Sequence, residues 1–100
     1  MKTEQIAPFY FCIDIGDYTG MSAASYEDFL ASIKKVKAKS LSFHVKRGDF
    51  EKWVCDVLKD EKLAKEIGKL KARKLHGQAL RNRLYSIVSK RCKELASKVQ

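Results

Sequence analysis

The sequence predicts a mainly α-helical fold: a compact bundle of about four to five helices with an extended N-terminal segment and a long C-terminal helix. Two observations carry this expectation. From Ser25 onward, apolar residues recur at intervals of three and four, the spacing that places them on one face of a helix. Before Ser25 there is one aromatic and β-branched run, Pro8 to Ile15, of the length of a strand. A chain of 100 residues suffices for one modest core, so residues 1–100 are expected to form a single helical domain, with 1–24 as extended segment and loop and 25–100 as helices.

In the N-terminal run, Phe9, Phe11, Ile13 and Ile15 would point one way and Tyr10, Cys12 and Asp14 the other. No second strand pattern follows, because Gly16 to Ala24 is rich in small and polar residues and reads as a loop. A lone strand must satisfy its backbone elsewhere, so the run is expected to lie across the helices or, alternatively, to pair with a second copy of the chain.

Ser25 is suited to cap the first helix, with Glu27 and Asp28 complementing its positive end, and Tyr26, Phe29, Leu30, Ile33 and Val36 form its buried stripe. Ser40 is read as the cap of a second helix carrying Leu41, His44 and Val45 inward, with Gly48 as its terminator. Asp49 is the expected cap of a third, in which Phe50, Trp53, Val54, Val57 and Leu58 make the clearest amphipathic pattern of the chain. Asp60 is the expected cap of a fourth, with Leu63, Ile67 and Leu70 inward. A last helix is expected from Gly77 towards the C-terminus, with Leu80, Leu84, Ile87, Val88, Leu95 and Val99 inside, and at 1.5 Å per residue it reaches about 30 Å. Arg91 falls near the centre of that apolar stripe, where a guanidinium needs a carboxylate partner such as Asp49 or Asp56, or must extend to water.

The formal charge is +9, unevenly distributed: residues 1–33 carry −4 and the remainder +13. From Lys69 to Lys93 there are nine cations and no acidic residue. A field of one sign repels itself, and such a surface commonly meets phosphates. The cations of interest are Lys69, Lys71, Arg73, Lys74, Arg81, Arg83, Lys90 and Lys93. On the last helix, Arg83, Lys90 and Lys93 share an outer face with Asn82, Ser86, Ser89 and Ser97.

Catalytic and metal chemistry find little support. His44, Arg47 and Asp49 are the one cluster mixing imidazole and carboxylate, but helical spacing puts His44 beside Leu41 and Val45, the place of a hydrogen-bonded core histidine. His44, Cys55, His76 and Cys92 are isolated singletons without the paired spacing of a zinc site, so no metal and no cofactor is expected. Gly16 and Gly20 lack the lysine and spacing of a nucleotide loop. The segment Leu63 to Gly68 is similar to the start of a helix-turn-helix, but Lys74 stands where an apolar residue should seat the recognition helix. The odd and dispersed cysteines, Cys12, Cys55 and Cys92, fit free thiols in a reducing cytoplasm. No export signal is read at Met1 to Ile6 and no span for a bilayer.

The residues Ser40-Leu41-Ser42-Phe43-His44, then Asp49-Phe50, Trp53-Val54 and Leu63-Ala64-Lys65-Glu66-Ile67, resemble the uncharacterised prokaryotic (archaeal and bacterial) domain-of-unknown-function family 5752. Ser42 stands where that family carries an aromatic, and the connection from His44 to Asp49 is shorter. The resemblance spans about Pro8 to Leu95. It implies a compact helical fold and no assigned activity.

The functional expectation is therefore a basic module without catalysis that binds nucleic acid, either RNA including the ribosome or duplex DNA, through phosphate contacts without sequence readout. The alternative is a protein-interaction or regulatory module, or a homo-oligomer through Phe9 to Ile15, using the acidic N-terminal part and the basic C-terminal helix. Trp53, Phe50, His44 and Arg91 are expected to be structural.

Overall fold

The computed structural model describes residues 7–98. Two strands, β1 (Phe9–Asp14) and β2 (Asp17–Ala23), precede six helices: α1 (Tyr26–Lys35), α2 (Ala38–Arg47), α3 (Asp49–Asp56), α4 (Glu61–Gly68), the single-turn α5 (Leu70–Arg73) and α6 (Gly77–Lys98). The fold is mainly helical, with a long C-terminal helix as expected. Met1 to Ile6 and Val99, read above as a leader-free start and an inward-facing residue, lie outside the described residues.

The N-terminal segment departs from expectation. It is a two-stranded antiparallel hairpin, in which Phe9 faces Ala23, Phe11 faces Met21 and Asp14 faces Asp17. The chain reverses at Ile15 and Gly16, and Gly16 takes the left-handed φ of 76° that a side chain disfavours. The segment read as a loop is thus a strand. Residues 17–23 lack strand-type alternation because most of them face solvent; only Ala23 is buried, and Thr19 and Met21 are half-buried. Thr19 replaces side-chain packing with a local clasp, its hydroxyl donating to the Phe11 carbonyl at 2.7 Å and accepting from the Met21 N–H at 3.2 Å. Register shifts on either side of Cys12 bend the ribbon over the helices, as bulges do. The strand therefore finds a partner within the chain.

The hairpin sits on α2 and α1, while α6 packs across α1, α2 and α4. Phe9 and Phe11 enter the core with Phe29, Phe50 and Trp53. Ring centroids lie 4.9 Å apart for Phe9 and Phe50 and 5.5 Å apart for Phe29 and Trp53, inside the range of favourable aromatic pairs. Trp53 also donates its indole N–H to the Ala7 carbonyl at 2.8 Å, holding the entry to β1. On the other side Leu80, Leu84 and Val88 of α6 are fully buried, whereas Ile87 and Leu95 are only partly covered.

The helix boundaries follow the sequence only in part: α3 ends at Asp56, which leaves Val57 and Leu58 beyond it, and α4 ends at Gly68, which leaves Leu70 to the separate single turn α5. The Ser25 hydroxyl caps α1 by accepting from the Asp28 N–H, and Asp60 caps α4 by accepting from the Leu63 N–H at 3.0 Å. However, α2 begins at Ala38 with no side-chain cap, and Ser40 is buried within it instead of capping it. Gly48, at φ 78°, both closes α2 and precedes α3. Asp49 therefore lies inside α3, and its carboxylate is free to bond elsewhere.

Arg91 is held by an ion pair, though with neither Asp49 nor Asp56. Its Nε donates to Asp60 at 2.8 Å, with side chains 14% and 3% exposed respectively. Its Nη1 donates to Glu94 at 3.1 Å. The same Asp60 oxygen accepts from the Tyr26 hydroxyl at 2.8 Å. Burial first, and the Asp60 hydrogen bond next, push the Tyr26 phenol up to about 12. Burial pushes the Asp60 carboxyl up, but the combined bonds from Arg91, the Leu63 N–H and Tyr26 outweigh it and hold the group below its ordinary value. Removing one partner leaves the other charge buried and uncompensated, so Arg91→Met is expected to cost about 3–5 kcal/mol, and Asp60→Asn added to it to recover part of the loss. Urea midpoints followed by Trp53 fluorescence measure both.

Candidate nucleic-acid interface

The cations singled out in the sequence do not form one surface. Arg81 points inward: its Nη2 donates to the Val36 carbonyl at 2.6 Å, at the end of α1, and its Nε is buried without a partner. It links α6 to α1 and is unsuited to meeting a phosphate. Arg83 and Lys90 line a recess between α4 and α6, together with Lys62, Arg91, Glu66 and Glu94. There Glu94 already accepts from Lys62 at 3.2 Å, so carboxylates offset much of the positive charge. Lys69 lies 3.4 Å from Glu66. Lys71, Arg73, Lys74 and Lys93 are exposed.

Folding brings together a different set. Two adjoining hollows, of about 560 and 460 Å³, share Ser42, Lys46 and His76. The first is lined by Lys39, Lys46 and Arg47 of α2, with Ile13 and Phe43 as apolar wall and Gly77 at the start of α6. The second adds Lys71, Lys74, Leu70 and Leu75 from α5 and the turn after it. No carboxylate lines either hollow. Arg47 is partly occupied, since its Nε donates to Asp49 at 3.1 Å and its guanidinium lies 5.2 Å from the Phe43 ring centre. Lys39, Lys46, Arg47 and His76 were not among the residues picked out by charge density, because three of them come from α2, some 30 residues earlier. Their signal was nevertheless present: Lys39, Ser42, Phe43 and Lys46 sit at i, i+3, i+4 and i+7 on the face of α2 opposite its core residues.

The groove between α3 and α4, about 830 Å³, has mixed charge, with Glu51, Asp56 and Glu61 set among Lys52, Lys65 and Lys69. It offers no field of one sign.

His44 is a core residue, as its spacing implies. It is buried among Phe9, Phe43 and Phe50. Its Nε2 accepts from the Cys12 N–H at 2.8 Å. Because an amide N–H can only donate, Nε2 carries no proton, so Nδ1 holds it and donates to the Asp49 carboxylate at 2.8 Å. Both ring nitrogens are committed, which leaves none to act as a general base. The imidazole instead ties β1 to α2 and α3. Among the described residues, no group of three His, Cys, Asp or Glu side chains is placed to hold a metal ion. No helix among the described residues is long and apolar enough to cross a membrane. Cys12, Cys55 and Cys92 are free thiols, each half-buried.

No family model, curated protein or solved structure matches this chain. These comparisons lend no support to the resemblance to family 5752.

Burial lowers the His44 proton affinity below the ordinary 6.5, outweighing the raising effect of Asp49. The unfolded chain then binds more protons than the folded one below that pH. Stability is full above about 6.5 and declines as pH falls towards the lower folded-state value. Urea midpoints between pH 5 and pH 7.5 are expected to drop on the acid side for the native protein, with a much smaller slope for His44→Gln.

Proposed function

We propose that this chain is a small non-enzymatic helical module that binds nucleic acid, RNA or duplex DNA, through phosphate contacts without sequence-specific readout. The observation that supports this best is an exposed set of cations, Lys71, Arg73, Lys74, Arg83, Lys90 and Lys93, in a stretch of 25 residues that contains no acidic residue. Exposed cations of this kind would exchange their counterions for phosphates. Two aromatic rings of α6 and α2 are poorly disposed for stacking bases: Tyr85 is half-buried with Lys34 5.1 Å from its ring centre, and Phe43 has the Arg47 guanidinium 5.2 Å from its ring centre. Positioning on a backbone therefore fits better than recognition of individual bases. Free thiols at all three cysteines fit a cytoplasmic setting.

A second reading has its own support. Tyr10, Ile15 and Tyr18 are 54%, 78% and 49% exposed on the hairpin, the two tyrosine rings meet edge to face, and Asp14 and Asp17 flank the turn. An apolar and acidic tip of this kind suits contact with a basic protein surface.

Fluorescence anisotropy with labelled duplex DNA, single-stranded RNA and structured RNA, repeated at several salt concentrations, separates the two. The expected outcome is binding whose affinity falls steeply with salt, about one logarithmic unit per logarithmic unit of salt for each phosphate neutralised. Absence of binding at about 50 mM salt, the low-salt end of the range over which phosphate contacts lose most of their affinity, rejects nucleic acid and leaves the hairpin as the contact surface.

A further inference from the structure

We infer that the main phosphate seat of this protein is the pair of hollows between α2 and the α5–α6 turn, gripped by Lys46 and Lys74, with the outer face of α6 in a secondary role. This rests on the nucleic-acid reading and locates it. Three observations carry the inference. The hollows join cations from two distant parts of the chain, Lys39 and Lys46 from α2 and Lys74 from the end of α5, while Lys71 lines both the second hollow and the mixed groove that holds Glu51. They are concave, and Lys46 and His76 line both, so the two share one continuous wall. They contain no carboxylate, whereas the α4–α6 recess beside Arg83 and Lys90 contains Glu66 and Glu94, and the α3–α4 groove contains Glu51, Asp56 and Glu61.

Physical consequences follow from shape and sign together. A cleft lined by one charge, with apolar walls such as Ile13, Phe43, Leu70 and Leu75, concentrates its field at the opening and attracts anions more strongly than the same charges on a convex helix. A lysine already near a carboxylate has less to gain from a phosphate, because it must exchange one anion for another. Lys46 and Lys74 are exposed and take part in no ion pair among the described residues. The left-handed backbone at Lys74, φ 54°, ends α5 and sets this lysine at the rim beside His76. The first turn of α6, which starts at Gly77 on the floor of the first hollow, has no acidic residue to oppose an anion.

The test compares three double charge reversals that change formal charge equally: K46E/K74E in the hollows, R83E/K90E on α6 and K52E/K65E in the mixed groove. Each full-length variant is titrated against the same labelled duplex DNA and structured RNA at 50 mM salt, with Trp53 fluorescence and circular dichroism confirming the fold. K46E/K74E is expected to lose tenfold or more in affinity and to flatten the salt dependence by about two units of slope, while the other two lose less than threefold. K46A/K74A, which only deletes charge, is expected to fall between them. An equal or larger loss in R83E/K90E overturns the location while leaving the nucleic-acid reading intact, and an equal loss in K52E/K65E reduces the effect to net charge. Failure of the native protein to bind either probe rejects the reading itself.

Discussion

The carboxylate of Asp60 is the contact on which the helical half of the molecule depends. One oxygen caps α4 through the Leu63 N–H, while the other receives Tyr26 from α1 and Arg91 from α6. Three helices, α1, α4 and α6, are thereby fixed to a single buried carboxylate. The arrangement is sustained because the Asp60 carboxylate accepts from three donors and the guanidinium has a second carboxylate in Glu94. A buried ion is tolerated only under such complete satisfaction, and the geometry that satisfies it admits few alternative packings.

His44 plays the matching part at the other end. It joins the hairpin to α2 and α3 through a neutral ring whose tautomer is dictated by the Cys12 amide on one side and Asp49 on the other. The aromatic cluster around it would fill the same volume without a histidine, but apolar contacts do not specify register. The hydrogen bond from Cys12 does, since a slip of one residue would turn Phe9 and Phe11 out of the core. The two polar nodes thus orient what the apolar contacts merely hold together.

Surface charge is organised by the same packing. The basic residues after Lys69 have different fates: Arg81 is turned into the fold, Arg91 is paired with Asp60, Arg83 and Lys90 share a recess with glutamates, and Lys71 and Lys74 line a hollow against α2. Charge density along the chain treats these as equivalent. Their environments differ because a helix presents successive residues to different neighbours, and the neighbour decides whether a cation is neutralised, structural or available.

The helices, their caps at Ser25 and Asp60, the Gly48 break and the core placement of Phe50, Trp53 and His44 were legible in the sequence, because helical periodicity and capping are local and repeat within a few residues. The ion-pair requirement at Arg91 was legible too. Its partner was not, since Asp49, Asp56 and Asp60 are equally reachable until the angle between α4 and α6 is set. The second strand escaped because Asp17 to Ala23 buries little side-chain surface and draws its order from pairing with β1. By itself the sequence determined which residues must be buried and how much positive charge the surface must carry. Only the tertiary structure decided which of those charges share a hollow, because Lys46 and Lys74 come together across α2 and α5, and separation along the chain carries no information about distance in the fold.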